Sequence, residues 1–288
     1  MEWWQAIILG VVEGVTEFLP VSSTGHLIIA ADLMGLSEDE TVKGAVDAYL
    51  IVIQAFALLA IVGLYFPRLL RMLRGLFGQD RDGLRLALHI LLAFAPILVL
   101  GPLLHSRIMA HLFSPAPVLL ALLLGGVWMI WIDRRRAKRG ELDAGIELEQ
   151  MTWKHALGIG LFQCVSMWPG TSRAMMTIVG GVMLGLKPAR AAEFSFLLGL
   201  PTILGATVYA IGKDLLDAQE SDAANMFEII GVGSVVIGCV VTVISAALAV
   251  KWFVAYLGRS GLALFGWYRV GLCAVLGVLI LTGLVQIA

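Results

Sequence analysis

Two short polar stretches interrupt segments of this chain that are otherwise apolar enough to enter a bilayer, and that limits what the chain can become. The first is Pro20-Val21-Ser22-Ser23-Thr24-Gly25-His26, with Glu13 and Glu17 just upstream; the second is Pro169-Gly170-Thr171-Ser172-Arg173. Carboxylates, hydroxyls, a histidine and an arginine are expensive in hydrocarbon, so such groups mark a functional site by default. The two stretches look like copies of one another. Laying Pro20 on Pro169 puts Ser22 on Thr171 and Ser23 on Ser172.

Six apolar runs surround them, at about 45–66, 84–104, 115–133, 188–212, 227–249 and 264–287. Each approaches the roughly 20 residues that a helix needs to cross the hydrocarbon core. Residues 3–36 and 153–187 do not fit, because each breaks at its proline into halves too short to span. A broken backbone is tolerated at membrane depth only where it is buried in protein or lines a wet cavity. The pattern predicts an all-α polytopic membrane protein with six transmembrane helices and two re-entrant helix hairpins. Two ordinary kinked membrane helices are the alternative to the hairpins. The whole chain, 1–288, reads as a single membrane domain with internal repeats over about 1–133 and 153–288. Three spans per repeat is an odd number, so the second half must be inverted relative to the first. A site is then expected where the hairpins meet near the midplane.

Composition agrees with a bilayer as solvent. The chain is 59% hydrophobic and 14% charged, where a soluble domain carries about 25% charged residues. A net charge of −1 provides no basic face for nucleic acid. Cys164, Cys239 and Cys273 stand alone in apolar runs and read as small core residues. The start is not expected to be a cleavable signal peptide, since Glu2 takes the place of a basic region and Glu13 and Glu17 interrupt the apolar run. Arginines and lysines follow the first, third and fifth spans, at 68–85, 134–139, Lys251 and Arg259. The opposite loops hold Glu38, Asp39 and Glu40, then Asp214, Asp217, Glu220 and Asp222. The basic loops are therefore expected in the cytoplasm, with both termini and the mouth of the first hairpin at the exterior and the second hairpin opening to the cytoplasm.

Glu13 and Glu17 lie four residues apart and share one helix face. Two ionised carboxylates so placed repel unless a cation or a shared proton offsets them. Mg²⁺ or Ca²⁺ would suit them, particularly with phosphate oxygens as further ligands; a solvated face at the membrane surface is the bland alternative. Ser22, Ser23 and Thr24 stand at the start of a second short helix, where hydroxyls either cap or react. The N-terminus of that helix is also an anion site. His26 can carry a proton or polarise a serine. Arg173 presents a planar fork that matches two phosphate oxygens, or else pairs with Glu13 or Glu17. Thr171 and Ser172 would add donors at another helix start. Gln54 and Glu193 are candidates for supporting the pocket or for ordinary helix–helix hydrogen bonds. Charge neutralisation, positioning and a nucleophile are what phosphoryl transfer requires.

In these residues the sequence closely resembles the bacterial undecaprenyl-pyrophosphate phosphatases, also called bacitracin-resistance proteins. The resemblance rests on the continuous stretch from Glu13 to His26, on Pro169 to Arg173, and on Ala192-Glu193-Phe194-Ser195-Phe196-Leu197-Leu198. It implies a bacterial inner-membrane enzyme that removes one phosphate from undecaprenyl pyrophosphate, with its site toward the exterior and a divalent cation bound. It also implies paired re-entrant hairpins in inverted repeats. The family's glutamates fall on Glu13 and Glu17, its serine on Ser23, its histidine on His26 and its arginine on Arg173. Ser22, Thr24, Thr171 and Ser172 stand beside them as substrate-binding candidates. Ala174-Met175 departs from the Ser-Gly that usually follows the arginine, exchanging a hydroxyl for a bulky side chain. A flippase or transporter for a polyprenyl phosphate could use the same phosphate clamp. Attack by Ser23 and attack by water it orients both stay open, as does a homodimer.

Overall fold

A computed structural model describes residues 1–112, 114–218 and 226–282. The helices among the described residues, in chain order, are α1 (Trp3–Thr16), α2 (Ser23–Leu33), α3 (Glu40–Leu64), α4 (Phe66–Leu76), α5 (Arg81–Leu112), α6 (Pro115–Lys138), α7 (Trp153–Val165), α8 (Arg173–Met183), α9 (Pro188–Ala218), α10 (Met226–Ile230), α11 (Val232–Ser260) and α12 (Ala263–Leu281). No strand forms among these residues. Six helices, α3, α5, α6, α9, α11 and α12, are long and apolar enough to cross a membrane. At 1.5 Å per residue, α1, α2, α7 and α8 reach only about 16–21 Å, short of the roughly 30 Å hydrocarbon core. This is an all-α, multi-pass membrane protein.

The spans sit close to the apolar runs, with two differences. The basic stretch after the first span is not a loop but the helix α4, begun by Pro67 in its first turn. At its corner with α5, Arg71 donates to Asp80 at 2.8 Å, and this guanidinium holds the Asp80 carboxyl down to about 2. The fifth span runs past residue 249 to Ser260, because Val250, Phe253 and Leu257 continue its buried stripe while Lys251 points outward. Lys251 and Arg259 thus lie on α11 rather than after it. Val236, Val240, Ile244 and Leu248 form an exposed apolar stripe along the same helix, the surface that a lipid-facing helix requires. Glu220, Asp222 and the last residues of the sixth run lie outside the described residues.

The chain folds into two compact units, and each takes segments from both sequence halves. The first joins residues 1–18, 23–64 and 199–249. Its core is built from Ala6 and Leu9 of α1, Leu27 and Ala31 of α2, Tyr49 and Ile53 of α3, and Val235 and Cys239 of α11. Tyr49 is wholly buried and its hydroxyl donates to the Ala6 carbonyl at 3.1 Å. α1 lies directly on α11 because Gly14 has no side chain: a Cβ there would stand 2.1 Å from Ser245 Oγ and 2.5 Å from the Thr242 carbonyl. Gly14→Ala is expected to lower the melting temperature of the detergent-solubilised protein by several degrees, an overpacking effect of about 1–3 kcal/mol. An unchanged melting temperature would count against this close seating.

The second unit joins residues 19–22, 65–198 and 250–288. α6 packs along α12, and α5 packs on α4 and α7. Phe253 and Phe265 meet edge-on at 4.9 Å, with Phe196 against Phe253. Asp133 of α6 accepts the first N–H of α12. The 139–152 connection is held by charge: Glu147 binds Lys187 and Arg190, and Glu149 binds Arg68 at 2.7 Å.

Candidate active site

The two polar stretches share two local features. Each short helix pair starts at an exposed tryptophan, Trp3 or Trp153, suited to the membrane interface. Each second helix is preceded by a serine with positive φ, Ser22 at 75° and Ser172 at 69°. Such backbone costs a non-glycine residue about 1–3 kcal/mol and survives only where the surroundings dictate it. The helices then begin at Ser23 and Arg173 and run to Leu33 and Met183. Matching the two stretches on these helix starts shifts them one residue away from the proline alignment. Ser22 corresponds to Ser172, Ser23 to Arg173 and Pro20 to Gly170. The conformation at the helix start is what the two copies share, and a proline fits at either of two turn positions. In this register wholly buried Gln163 stands where Glu13 stands in the first copy, the same shape without the charge.

In the first unit, Glu13 lies in the last turn of α1 and Glu17 directly follows the helix, wholly and almost wholly buried. Ser23 Oγ donates to Glu17 Oε2 at 2.8 Å, and Gln54 Nε2 of α3 donates to the same oxygen at 3.3 Å. Gln54 is thus a supporting residue of the site. His26 lies half-buried three residues beyond Ser23, on the same helix face. Thr24 is exposed. Among the described residues no three His, Cys, Asp or Glu side chains gather into a metal site. Glu13 and Glu17 supply carboxylate oxygens, the donor type that Mg²⁺ or Ca²⁺ takes.

In the second unit, Ser172 Oγ accepts the Met175 N–H at 3.2 Å and caps α8, keeping its own proton to donate. Thr171 is buried and its hydroxyl donates to the Trp168 carbonyl at 2.6 Å, closing the end of α7. Arg173 Nη1 donates to the Ser195 carbonyl at 3.2 Å. Thr177 ties this arrangement together: its hydroxyl donates to the Arg173 carbonyl at 2.8 Å and lies 2.6 Å from Ser195 Oγ. Glu193 does not support this cluster; it is paired with Arg68 and Arg190. Met175, whose bulk is the departure noted above, is buried against the position a Gly125 side chain would take on α6.

Arg269 is the residue that reading the sequence passed over. It is wholly buried on α12 and donates to carbonyls of both turns, Pro20 in one and Gly170 and Thr171 in the other. Its signal was present: a single cation inside the last apolar run.

Comparison with known proteins follows the same residues. The family described as bacitracin resistance protein BacA matches residues 6–275. An undecaprenyl-diphosphatase of Sorangium cellulosum is 46% identical over 278 residues, covering 96% of this chain and 85% of the relative. Undecaprenyl-diphosphatase 2 of Rhodospirillum rubrum is 41% identical, covering 98% of this chain and 96% of its own length. An undecaprenyl-diphosphatase of Pseudomonas aeruginosa is 42% identical, covering 94% and 92%. A family match over nearly the whole chain, together with relatives of this identity and coverage, decides the matter: the chain belongs to the bacitracin resistance protein BacA family.

Proposed function

We propose that this chain is an undecaprenyl-diphosphatase, which removes the terminal phosphate of undecaprenyl pyrophosphate and returns undecaprenyl phosphate to cell-wall synthesis. The observation that carries this reading is the 2.8 Å hydrogen bond from Ser23 Oγ to Glu17 Oε2, reinforced by Gln54. A hydroxyl held on a buried carboxylate is a nucleophile with its base, and it lies within the residues matched to the family.

Ser23 Oγ attacks the terminal phosphorus; the Oγ–P bond forms as the bridging P–O bond breaks, and undecaprenyl phosphate leaves. The serine proton passes to Glu17. Water then attacks the phosphoserine phosphorus and gives its proton to His26; the Ser23 Oγ–P bond breaks, Glu17 returns the proton to Ser23 Oγ, and inorganic phosphate leaves. Arg173 grips the phosphate oxygens with its fork. Ser172 and the first N–H groups of α8 add donors at a helix N-terminus. Glu13 and Glu17 are the residues to hold a divalent cation, which when bound neutralises charge on the pyrophosphate. The enzyme's place is the bacterial inner membrane with its site open to the exterior, a reading supported by the basic stretches at 68–85 and 134–139.

The test is phosphate release from undecaprenyl pyrophosphate by purified protein in detergent. Release is expected to stop with chelator and to return with added Mg²⁺. Glu13→Gln is expected to need more Mg²⁺ for half-maximal rate. No release by folded protein, with lipid movement across liposomes instead, would replace the phosphatase by a flippase.

A further inference from the structure

We infer that Arg269 is a positioning residue of the reaction, a buried guanidinium that fixes both polar turns, from which the chain passes directly into Ser23 and Arg173. This rests on the phosphatase reading above. A guanidinium has five N–H donors in a fixed fork, and here backbone carbonyls accept from all three of its nitrogens. Nε donates to Leu122 at 3.3 Å. Nη1 donates to Thr171 at 3.2 Å and Pro20 at 3.4 Å, and Nη2 to Gly170 at 2.8 Å and Ala121 at 3.0 Å. Among the described residues its hydrogen-bond partners are carbonyls, whose dipoles offset the buried charge. Pro20 and Gly170 are equivalent positions of the two copies, and their carbonyls converge on this one side chain.

The site for it is built into α6. A Cβ on Gly125 would stand 2.7 Å from Arg269 Nη2, and one on Gly126 would stand 3.2 Å from Arg269 Cβ. The absence of both side chains lets the guanidinium lie against the helix and reach the Ala121 and Leu122 carbonyls.

The consequence follows from peptide geometry. Carbonyl and N–H point in opposite directions across a trans peptide. Holding the Thr171 carbonyl therefore turns the Ser172 N–H away from Arg269, toward the start of α8. The residues next to the held turns are Ser22 and Ser172, the two non-glycine residues with positive φ among those described. Strained backbone of this kind persists where its surroundings over-determine it; Arg269 holds the carbonyl directly before Ser172 and, in the first turn, the Pro20 carbonyl two residues before Ser22. The next residue in each copy is the first of its helix, Ser23 or Arg173. One side chain thereby holds the turn that leads into each of these helices. Lysine keeps the charge but has three donors on a point-like head, too few to hold both turns.

The test compares wild type with Arg269→Lys and Gly125→Ala; the latter keeps the arginine but displaces its guanidinium. Each folded protein is assayed for phosphate release, and hydrogen exchange of the turn amides is followed without substrate. In both variants kcat is expected to fall about 100-fold, the loss that a displacement of about 1 Å produces, with KM within roughly threefold. Faster exchange is expected at residues 19–24 and 169–174, with α6 and α12 unchanged. Folded Arg269→Lys with wild-type kcat, or faster exchange spread along α6 and α12, would overturn the proposal. Failure of both variants to fold would likewise overturn it, leaving Arg269 as a packing residue. The exchange measurement uses no substrate, so it judges Arg269 separately from the phosphatase reading.

Discussion

Ser23→Ala is expected to lower kcat by about a thousandfold or more while the protein stays folded and KM changes little. Ser23 starts α2 half-buried, and its hydroxyl is committed to Glu17 at 2.8 Å. Alanine removes one oxygen, leaves the backbone free to keep its course, and takes no charge from the phosphate site. What it removes, in the proposed mechanism, is the attacking atom. Deleting an activated serine in other hydrolases costs at least this much, and a thousandfold is about 4 kcal/mol of barrier. Glu17→Gln should produce a comparable loss, because an amide can accept the Ser23 hydrogen bond but cannot take its proton. Two measurements check the assignment: steady-state phosphate release, and mass spectrometry of rapidly quenched wild-type enzyme. The second should find phosphate on the peptide carrying Ser23. Turnover by Ser23→Ala within tenfold of wild type, with no phosphopeptide in the quench, would mean that water attacks directly and the serine only orients it.

Much of this was legible in the sequence because the bilayer simplifies the code. Where backbone polar groups must be satisfied within the chain, long apolar runs can become little other than helices, and the six runs became α3, α5, α6, α9, α11 and α12. Charges that survive in such surroundings announce themselves, which is why Glu13, Glu17 and Arg173 stood out. Register was harder. The prolines offered a visible alignment, but the helix starts at Ser23 and Arg173, each behind a serine with positive φ, fix a different one. Backbone conformation at a turn is set by what holds its carbonyls, and that holder is distant in sequence. Arg269 lies in the last span, while its partners are Pro20, Ala121, Leu122, Gly170 and Thr171. No local pattern connects these positions. The assignment of hydroxyls was similarly out of reach. Thr171 and Ser172 are adjacent and chemically alike, yet one closes the end of α7 and the other caps α8. Which hydroxyl remains near the phosphate clamp depends on chain direction, not on residue type.

Arg173→Ala is expected to reduce kcat/KM by about a thousandfold or more, through a higher KM and a lower kcat together. The charge on a transferring phosphoryl group is spread over its oxygens, and an arginine placed on that charge is worth about 10³–10⁵ in rate elsewhere. For the proposed role, Arg173 is held in place without substrate. Its Nη1 is anchored on the Ser195 carbonyl at 3.2 Å, and Ser195 is in turn fixed by Thr177, whose hydroxyl also binds the Arg173 carbonyl. Ser195 and Thr177 are wholly buried, so the plane of the fork is set by packing rather than by the ligand, and little ordering is left to be done on binding. Arg173→Lys separates charge from geometry. The ammonium keeps the positive charge but has neither the fork nor the reach to the Ser195 carbonyl. It should recover part of KM and little of kcat, falling between alanine and wild type. Inhibition by inorganic pyrophosphate gives an independent reading, since that probe retains the phosphates and lacks the prenyl chain. Its inhibition constant should rise in both variants, and by more in Arg173→Ala. If Arg173→Ala turned over within threefold of wild type and bound pyrophosphate equally well, the phosphate would be held by other groups, and the anchoring by Ser195 and Thr177 would serve the packing of α8 against α9 alone.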